Sequence, residues 1–118
     1  MEKPDRAIAI YKEILQKREA KERKYAELER ASLYNRIGVA FREKRDLQAS
    51  AEWFHKALQE NPLTARSRTI ATLELGKTLD LMGQRDEAIQ NYRAVVSAED
   101  IAGSQEEARR LLQRPFKD

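Results

Sequence analysis

The stretch from Tyr34 to Pro62, YNRIGVAFREKRDLQASAEWFHKALQENP, decides the fold. A second stretch, from Thr72 to Asp100, reads TLELGKTLDLMGQRDEAIQNYRAVVSAED and has apolar and small residues at the same offsets. In each copy a glycine, Gly38 or Gly76, stands 12 residues before a second small residue. This repeated spacing predicts repeated structural units, each a pair of helices that closes through the same turn.

The matching positions alternate large apolar residues with small ones at helical spacing. In the first copy they are Tyr34, Ile37, Gly38, Phe41, Ser50, Phe54, Ala57 and Pro62. In the second copy they are Thr72, Leu75, Gly76, Leu79, Ala88, Tyr92, Val95 and Asp100. An earlier segment holds the second half of the pattern alone, at Ala7, Tyr11 and Ile14. Because small residues let antiparallel helices approach closely, we expect these positions to serve packing rather than chemistry.

The pattern resembles the tetratricopeptide repeat of bacterial-type repeat proteins, with its signature W-x2-L-G-x2-Y, then A-x3-F, then P. Here Tyr34 replaces the Trp, Ser50 replaces the first small Ala, and Asp100 replaces the closing Pro of the second copy. The resemblance implies an all-α fold, a right-handed α-α solenoid of antiparallel helix pairs with about six helices. It also implies a non-enzymatic protein–protein interaction module, or scaffold.

Capping residues and breaks predict the helix boundaries. Helices are expected over about 4–16, 21–44, 47–60 and 64–82, then one with Asp86 in its first turn that reaches about Ser97, then a short last helix stopped by Pro115. Asp46 is the predicted N-cap of the third helix, and Gly83 is expected to end the fourth. Ser104 and Glu107 form the pattern of a capping box for the last.

A single domain, 1–118, is expected to have four parts. They are the second helix of an incomplete repeat at 1–20, a repeat with a long first helix at 21–62, a repeat at 63–100 and a capping helix at 101–118. The spacings between copies exceed those of a 34-residue repeat by about nine and about four residues, which we assign to extensions of the second and fourth helices.

The first helix lacks a partner helix in this scheme. Its apolar stripe, predicted to be buried but to lack half of its cover, comprises Ala7, Ile10, Tyr11 and Ile14. Either the chain is a piece of a longer repeat protein, or another chain supplies the missing surface.

Composition excludes several other classes of protein. The 118 residues contain no cysteine, which excludes a disulfide scaffold, and with one histidine and four scattered glycines we expect neither a Ser-His-Asp triad nor a Gly-rich phosphate loop. Glu52 and His55 have the spacing of a di-iron ligand pair, but no second such pair exists, so no metal and no cofactor are expected. The sequence contains no long uncharged span, so we expect no membrane insertion and a cytoplasmic location.

The family resemblance implies that the first helix of each pair lines a concave groove, which receives an extended peptide or a partner helix. The positions that would bind a partner are Asn35, Arg36, Val39, Arg42, Leu73, Glu74, Lys77 and Asp80. The carboxylate clamp of the family's chaperone-binding members is not reproduced at these positions. Asn35, Arg36, Arg42 and Lys77 nevertheless suit an acidic peptide, through charge-assisted hydrogen bonds.

The leading hypothesis is therefore a module that binds a protein or peptide. The alternative is a self-assembling structural element that forms a homo-oligomer through the unpaired N-terminal helix. RNA binding is a third hypothesis, but the net charge is only +3, from 23 basic and 20 acidic residues, and glutamates interrupt the basic stretch. We therefore expect no nucleic acid partner.

Overall fold

The fold consists of helices packed in pairs. A computed structural model of the chain describes residues 2–20 and 28–117. Within these residues it has no strand and six helices: α1 (Glu2–Glu19), α2 (Arg30–Glu43), α3 (Leu47–Leu58), α4 (Ala65–Leu81), α5 (Arg85–Ser97) and α6 (Ser104–Gln113). The predicted all-α helical-repeat fold with about six helices is confirmed.

The helices stack in the order of the sequence. α2 pairs with α3 and α4 with α5 through short turns, which makes the members of each pair antiparallel. α4 also packs against α2 and α3, and α6 packs against α5 and α4. Among the described helices, α1 packs against α2 alone. The first helices of successive pairs, α2 and α4, therefore lie side by side and form one face of the stack.

The core lies between the helix pairs and uses most of the repeated positions. The rings of Phe54 and Tyr92 are fully buried, and each packs against the glycine of its partner helix. The main cluster of buried apolar side chains comprises Ala51, Phe54, Leu73, Leu75, Leu79, Ala88, Tyr92, Val95 and Ala108. Between the two pairs, the buried hydroxyls of Ser50 and Thr78 lie 3.0 Å apart and share a hydrogen bond. The structure thus places these signature positions in packing contacts.

In the first copy, three signature residues lie nearer the surface than the rest. Tyr34 and Phe41 are half-buried, and Pro62 is exposed. The rings of Tyr34 and Phe41 flank Trp53 at centroid distances of 5.6 and 6.4 Å. The Lys56 ammonium lies 4.5 Å from the Trp53 centroid, a cation–π contact that covers part of this aromatic surface.

Two predicted helix ends are confirmed in detail. The Asp46 carboxylate accepts a hydrogen bond from the Ala49 N–H at 3.2 Å and so caps α3. Gly83 follows α4 with φ +80°, the left-handed conformation that glycine adopts at low cost. α4 begins one residue later than predicted, because Thr64 acts as its N-cap and accepts from the Ser67 N–H at 3.1 Å.

The predicted long second helix is wrong at residues 28 and 29. Glu29 has extended backbone angles, φ −73° and ψ 126°, and α2 begins only at Arg30. The reason is that Glu29 binds the start of α4 with its side chain instead of continuing a helix. The remainder of the predicted extension, 21–27, lies outside the described residues, and the division of the domain into four parts remains a prediction.

The predicted capping box of α6 is also wrong. Gly103, with φ +79°, occupies the N-cap position, and Ser104 is the first helical residue. Ser104 Oγ accepts from the Ile101 N–H at 3.1 Å, which holds the preceding turn. Glu107 points away from the backbone because it pairs with the poorly exposed ammonium of Lys77 at 2.7 Å.

The predicted buried stripe of α1 is wrong at Ile10, whose side chain is 53% exposed. Ala7, Tyr11 and Ile14 are half-buried, and the buried isoleucine is Ile8, at 7%. The physical reason is that α1 has one helical neighbour, α2, so only one of its faces can be covered.

Candidate functional site

An open groove of about 480 Å³ lies between α1, α2 and α4. α1 contributes its half-buried residues, and the facing sides of α2 and α4 form the floor and the opposite wall. The residues that line it include Ala7, Tyr11, Ser32, Asn35, Arg36, Val39, Glu43, Arg66, Ile70 and Glu74. Tyr11 lines this groove, whereas the equivalent rings of Phe54 and Tyr92 pack on glycines.

Asn35 presents an unsatisfied acceptor at the floor of this groove. The residue is 4% exposed, and its Nδ2 donates to the carbonyl oxygen of Ser67 at 3.1 Å. Its Oδ1 is buried and has no hydrogen-bond partner among the described residues. Buried polar atoms are nearly always hydrogen-bonded, because an unpaired acceptor keeps its full desolvation penalty. Asn35 thus keeps an unpaired acceptor in a residue that lines the groove.

Charged side chains of both signs line the groove. Arg36 and Arg66 are exposed and make no hydrogen bond or ion pair with any described residue. Among the carboxylates that line the groove, Glu43 alone makes no hydrogen bond or ion pair with a described residue. Glu29 and Glu74 each bind other side chains of the described part. Glu29 keeps its negative charge because its hydrogen-bond donors are uncharged, so the two arginines are balanced in net charge by Glu29 and Glu43, and what the groove offers an anion is two guanidinium groups without a partner.

Glu29 closes one end of the groove and connects α2 to α4. Its carboxylate accepts from the Thr64 N–H at 2.9 Å, from the Thr64 hydroxyl at 3.1 Å and from the Ser67 hydroxyl. Burial raises the pKa of Glu29, but these hydrogen bonds outweigh burial and hold it below the ordinary value. The ionised carboxylate is thus the form that the folded protein stabilises.

A chain of ion pairs occupies the other end. Glu74 accepts from Arg42 at 2.7 Å and from Lys77 at 2.9 Å, and Lys77 reaches Glu107 of α6 at 2.7 Å. The side chains of Arg42 and Lys77 are only 9% and 11% exposed. These two cations are consequently neutralised by the protein itself.

Asp80 is a second buried carboxylate at this end, with a side chain 1% exposed. It accepts from the Tyr92 hydroxyl at 2.7 Å, from Arg85 at 3.0 Å and from the Phe116 N–H at 2.9 Å. Burial, reinforced by the bond to Asp80, raises the pKa of Tyr92 well above its ordinary value. Asp80 thereby joins α4, α5 and the segment after α6.

The eight positions predicted to bind a partner separate into three groups. Asn35, Arg36, Val39 and Glu74 line the open groove. Leu73 is 5% exposed and belongs to the core. Arg42, Lys77 and Asp80 lie in the internal polar network.

Sequence reasoning missed three residues of this region: Glu29, Arg66 and Phe116. Glu29 lies in a run of mixed charges, where it does not differ from its solvated neighbours. Phe116 follows Pro115, which was interpreted as the end of a helix and nothing more. The one signal in the sequence that could have identified Phe116 was the presence of an isolated aromatic residue in a charged tail.

Other kinds of site have little support in the described part of the chain. His55 and Glu52 are both exposed, and no group of three or more His, Cys, Asp or Glu side chains is arranged to hold a metal ion there. None of the helices within residues 2–20 and 28–117 combines the length and the apolar character needed to cross a bilayer.

Stacked helix pairs with an open groove along their first helices define an α-α repeat protein. The family model described as "Tetratricopeptide repeat" matches residues 31–62 and 73–100, which is more than half of the chain. The chain belongs to the tetratricopeptide repeat family. Its repeats generally mediate protein–protein interaction, and the family is typically a non-enzymatic scaffold. Comparison with curated proteins and with solved structures found no match.

Proposed function

We propose that this chain is a protein-interaction module that binds a segment of a partner protein, as an extended peptide or a helix, in the groove between α1, α2 and α4. The observation that carries the proposal is the open groove, which is lined by the exposed Arg36 and Arg66 and by Asn35, whose buried Oδ1 has no partner among the described residues. A backbone or side-chain N–H of the bound segment would satisfy it.

The groove favours a partner segment that is both apolar and acidic. Tyr11, Val39 and Ile70 offer partly exposed apolar surface for its side chains. Arg36 and Arg66 offer the guanidinium groups that pair with carboxylates in two parallel hydrogen bonds. Arg42 and Lys77, which the sequence also suggested for this role, are already paired with Glu74 and are left out of the proposed contact.

The test compares short labelled peptides that share their apolar residues and differ in charge: acidic, neutral and basic. We expect the full chain to bind the acidic peptides most tightly, with an affinity that falls as salt is added. The double variant Arg36→Glu with Arg66→Glu should weaken that binding by at least about tenfold. The matched control is Arg93→Glu with Arg109→Glu, two exposed arginines of α5 and α6 that do not line the groove; it changes the net charge equally and should leave binding unchanged.

Two results would count against this function. One is that no peptide of the panel binds the folded chain at the highest soluble concentration. The other is that the control Arg93→Glu with Arg109→Glu lowers affinity as much as the groove double variant, which would assign the effect to net charge rather than to the groove.

A second candidate function is self-association through α1. Ile10 and Leu28 are large apolar residues that are 53% and 40% exposed, next to the helix that lacks a second neighbour. Sedimentation equilibrium tests this: a dimer that dissociates in Ile10→Glu but persists in Ala9→Glu, an exposed position of the same helix, would support it. A monomer at high concentration would remove it.

A further inference from the structure

The segment after α6 folds back over the stack. Arg114 has an extended backbone, with φ −138° and ψ 133°, and Pro115 follows it. The Phe116 N–H then donates to Asp80 Oδ2 at 2.9 Å. The Phe116 ring lies 5.2 Å from the Arg42 guanidinium carbon and 5.4 Å from the Lys77 ammonium, measured to the ring centroid. The short tail therefore reaches from α6 across α4 to α2.

The groups that hold Phe116 are kept in place by other parts of the protein. Glu74 binds both Arg42 and Lys77, and Glu107 binds Lys77 a second time. Asp80 is oriented by the Tyr92 hydroxyl and by Arg85. Two cations beside a ring attract its electron-rich face, and a buried carboxylate accepts from an N–H. The arrangement is thus a preformed seat for an aromatic residue in an extended chain.

The tail can leave this seat without moving α6. The last turn of α6 has its own anchor, because Arg85 donates to the carbonyl oxygens of Leu111 and Leu112 at 2.7 and 3.0 Å. The contacts identified for Phe116 itself are one hydrogen bond and two cation–π contacts, and its side chain remains partly exposed. These contacts are few, and Arg114, which lies between the anchor and the ring, is extended.

We propose that Arg42, Lys77 and Asp80 form a binding seat for an aromatic residue of an extended peptide, that Phe116 fills this seat in the free chain, and that a partner segment with such a residue binds by displacing the tail. The inference rests on the proposed function, because it adds a second, self-occupied subsite beside the open groove. It also explains why three predicted groove residues are covered by the chain's own tail.

The test uses the full chain and a labelled peptide with the tail sequence, acetyl-Arg-Pro-Phe-Lys-amide. A site that is occupied more than about nine-tenths of the time binds a competitor at least about tenfold more weakly. We therefore expect Phe116→Ala to bind this peptide at least about tenfold more tightly than the wild-type chain. The variant Arg114→Ala, which keeps the ring, should resemble the wild type, and a peptide with Ala in place of Phe should bind neither form.

Equal affinity of the wild type and Phe116→Ala for the peptide, or no binding to Phe116→Ala, would overturn the proposal. Phe116 lies outside the buried core, and circular dichroism would check that the variant is folded. Hydrogen exchange in the wild type gives an independent test. The Phe116 amide should exchange at least about tenfold more slowly than the Lys117 amide. Equal exchange rates would contradict the proposal that Phe116 fills the seat in the free chain.

This outcome is separable from that of the open groove. Phe116→Ala leaves Arg36 and Arg66 in place, so binding of the acidic peptides should be retained in this variant. If the aromatic subsite is wrong and the open groove is right, Phe116→Ala should not bind the tail peptide but should still bind the acidic peptides.

Discussion

A Cβ atom on Gly38 would lie 2.7 Å from Cε1 of Phe54, closer than carbon atoms approach without displacement. The second repeat has the same relationship, with 2.6 Å between a Cβ on Gly76 and Cε1 of Tyr92. The absence of a side chain at these two glycines therefore sets the distance between the helices of each pair, and an aromatic ring occupies the space.

Gly38→Ala should lower the free energy of unfolding by about 1–3 kcal/mol, because the new methyl group meets a fully buried ring. Urea unfolding measures this. Gly83→Ala is the comparison: a Cβ there meets nothing within 4 Å, but φ is +80°, so a cost of about 1 kcal/mol should come from backbone strain alone.

The two costs are distinguished in a Phe54→Leu background, which removes the ring. The cost of Gly38→Ala should shrink there by at least about 0.5 kcal/mol, whereas the cost of Gly83→Ala should not change. Additive costs at Gly38 and Phe54 would contradict the steric explanation.

Glu74→Ala should destabilise the fold by about 3 kcal/mol, because it leaves Arg42 without its carboxylate and Lys77 with one of two. Glu13→Ala breaks an exposed pair with Lys17 in α1 and should cost less than about 0.5 kcal/mol. Thermal or urea unfolding of both variants measures these two costs in the free energy of unfolding. Similar costs for the two would mean that the buried network contributes no more than a surface pair.

Glu29→Gln should cost about 1–2 kcal/mol at neutral pH, since the carboxylate accepts three hydrogen bonds that join α2 to α4. The folded pKa of Glu29 is depressed, so its ionisation stabilises the fold above the unfolded pKa, and that contribution is lost as the pH falls through the folded pKa. Urea unfolding across the acid range should show wild type and variant converging. A gap that stays constant into strong acid would refute the assignment.

Tyr92→Phe should cost about 1 kcal/mol at neutral pH through the lost hydrogen bond to Asp80. Because the folded pKa of Tyr92 is raised, its contribution is complete below the unfolded value near 10 and is lost as the pH rises above it. The variant should therefore lose less stability in alkali than the wild type does.

The absorbance of phenolate provides the matching measurement. While both proteins remain folded, an alkaline titration should give the same phenolate absorbance, because Tyr92 stays protonated in the wild type. An additional phenolate in the folded wild type, compared with Tyr92→Phe, would show that the hydroxyl of Tyr92 ionises in the native state.

Much of the fold could be predicted from the sequence, because the helices and their ends depend on interactions between residues that are close in the sequence. The 12-residue step from Gly38 to Ser50 and from Gly76 to Ala88 predicted two equivalent helix pairs, and the Asp46 cap and the Gly83 turn lie where they were expected. Each of these signals acts within one helix or one turn, so no knowledge of distant contacts was needed.

The candidate site was only partly accessible. The family resemblance predicted Asn35, Arg36 and Val39 as groove residues, and they line the groove, but neither the resemblance nor periodicity could show that Arg42 and Lys77 are neutralised by Glu74. The prediction of a helix through residues 28 and 29 and the prediction of a capping box at α6 were wrong for a related reason. Glu29 and Glu107 make side-chain contacts with residues far away in the sequence, and these contacts override the local preference.

The sequence by itself determined the helices, their pairing and the repeat that relates them, because the spacing of small and apolar residues acts over a few turns. The tertiary structure decided which polar groups remain available. It buried Asn35 with an unpaired oxygen, left Arg36 and Arg66 exposed, and brought Phe116 onto Arg42 across two helices. Whether a charged or polar side chain is paired depends on neighbours that only the folded chain brings together.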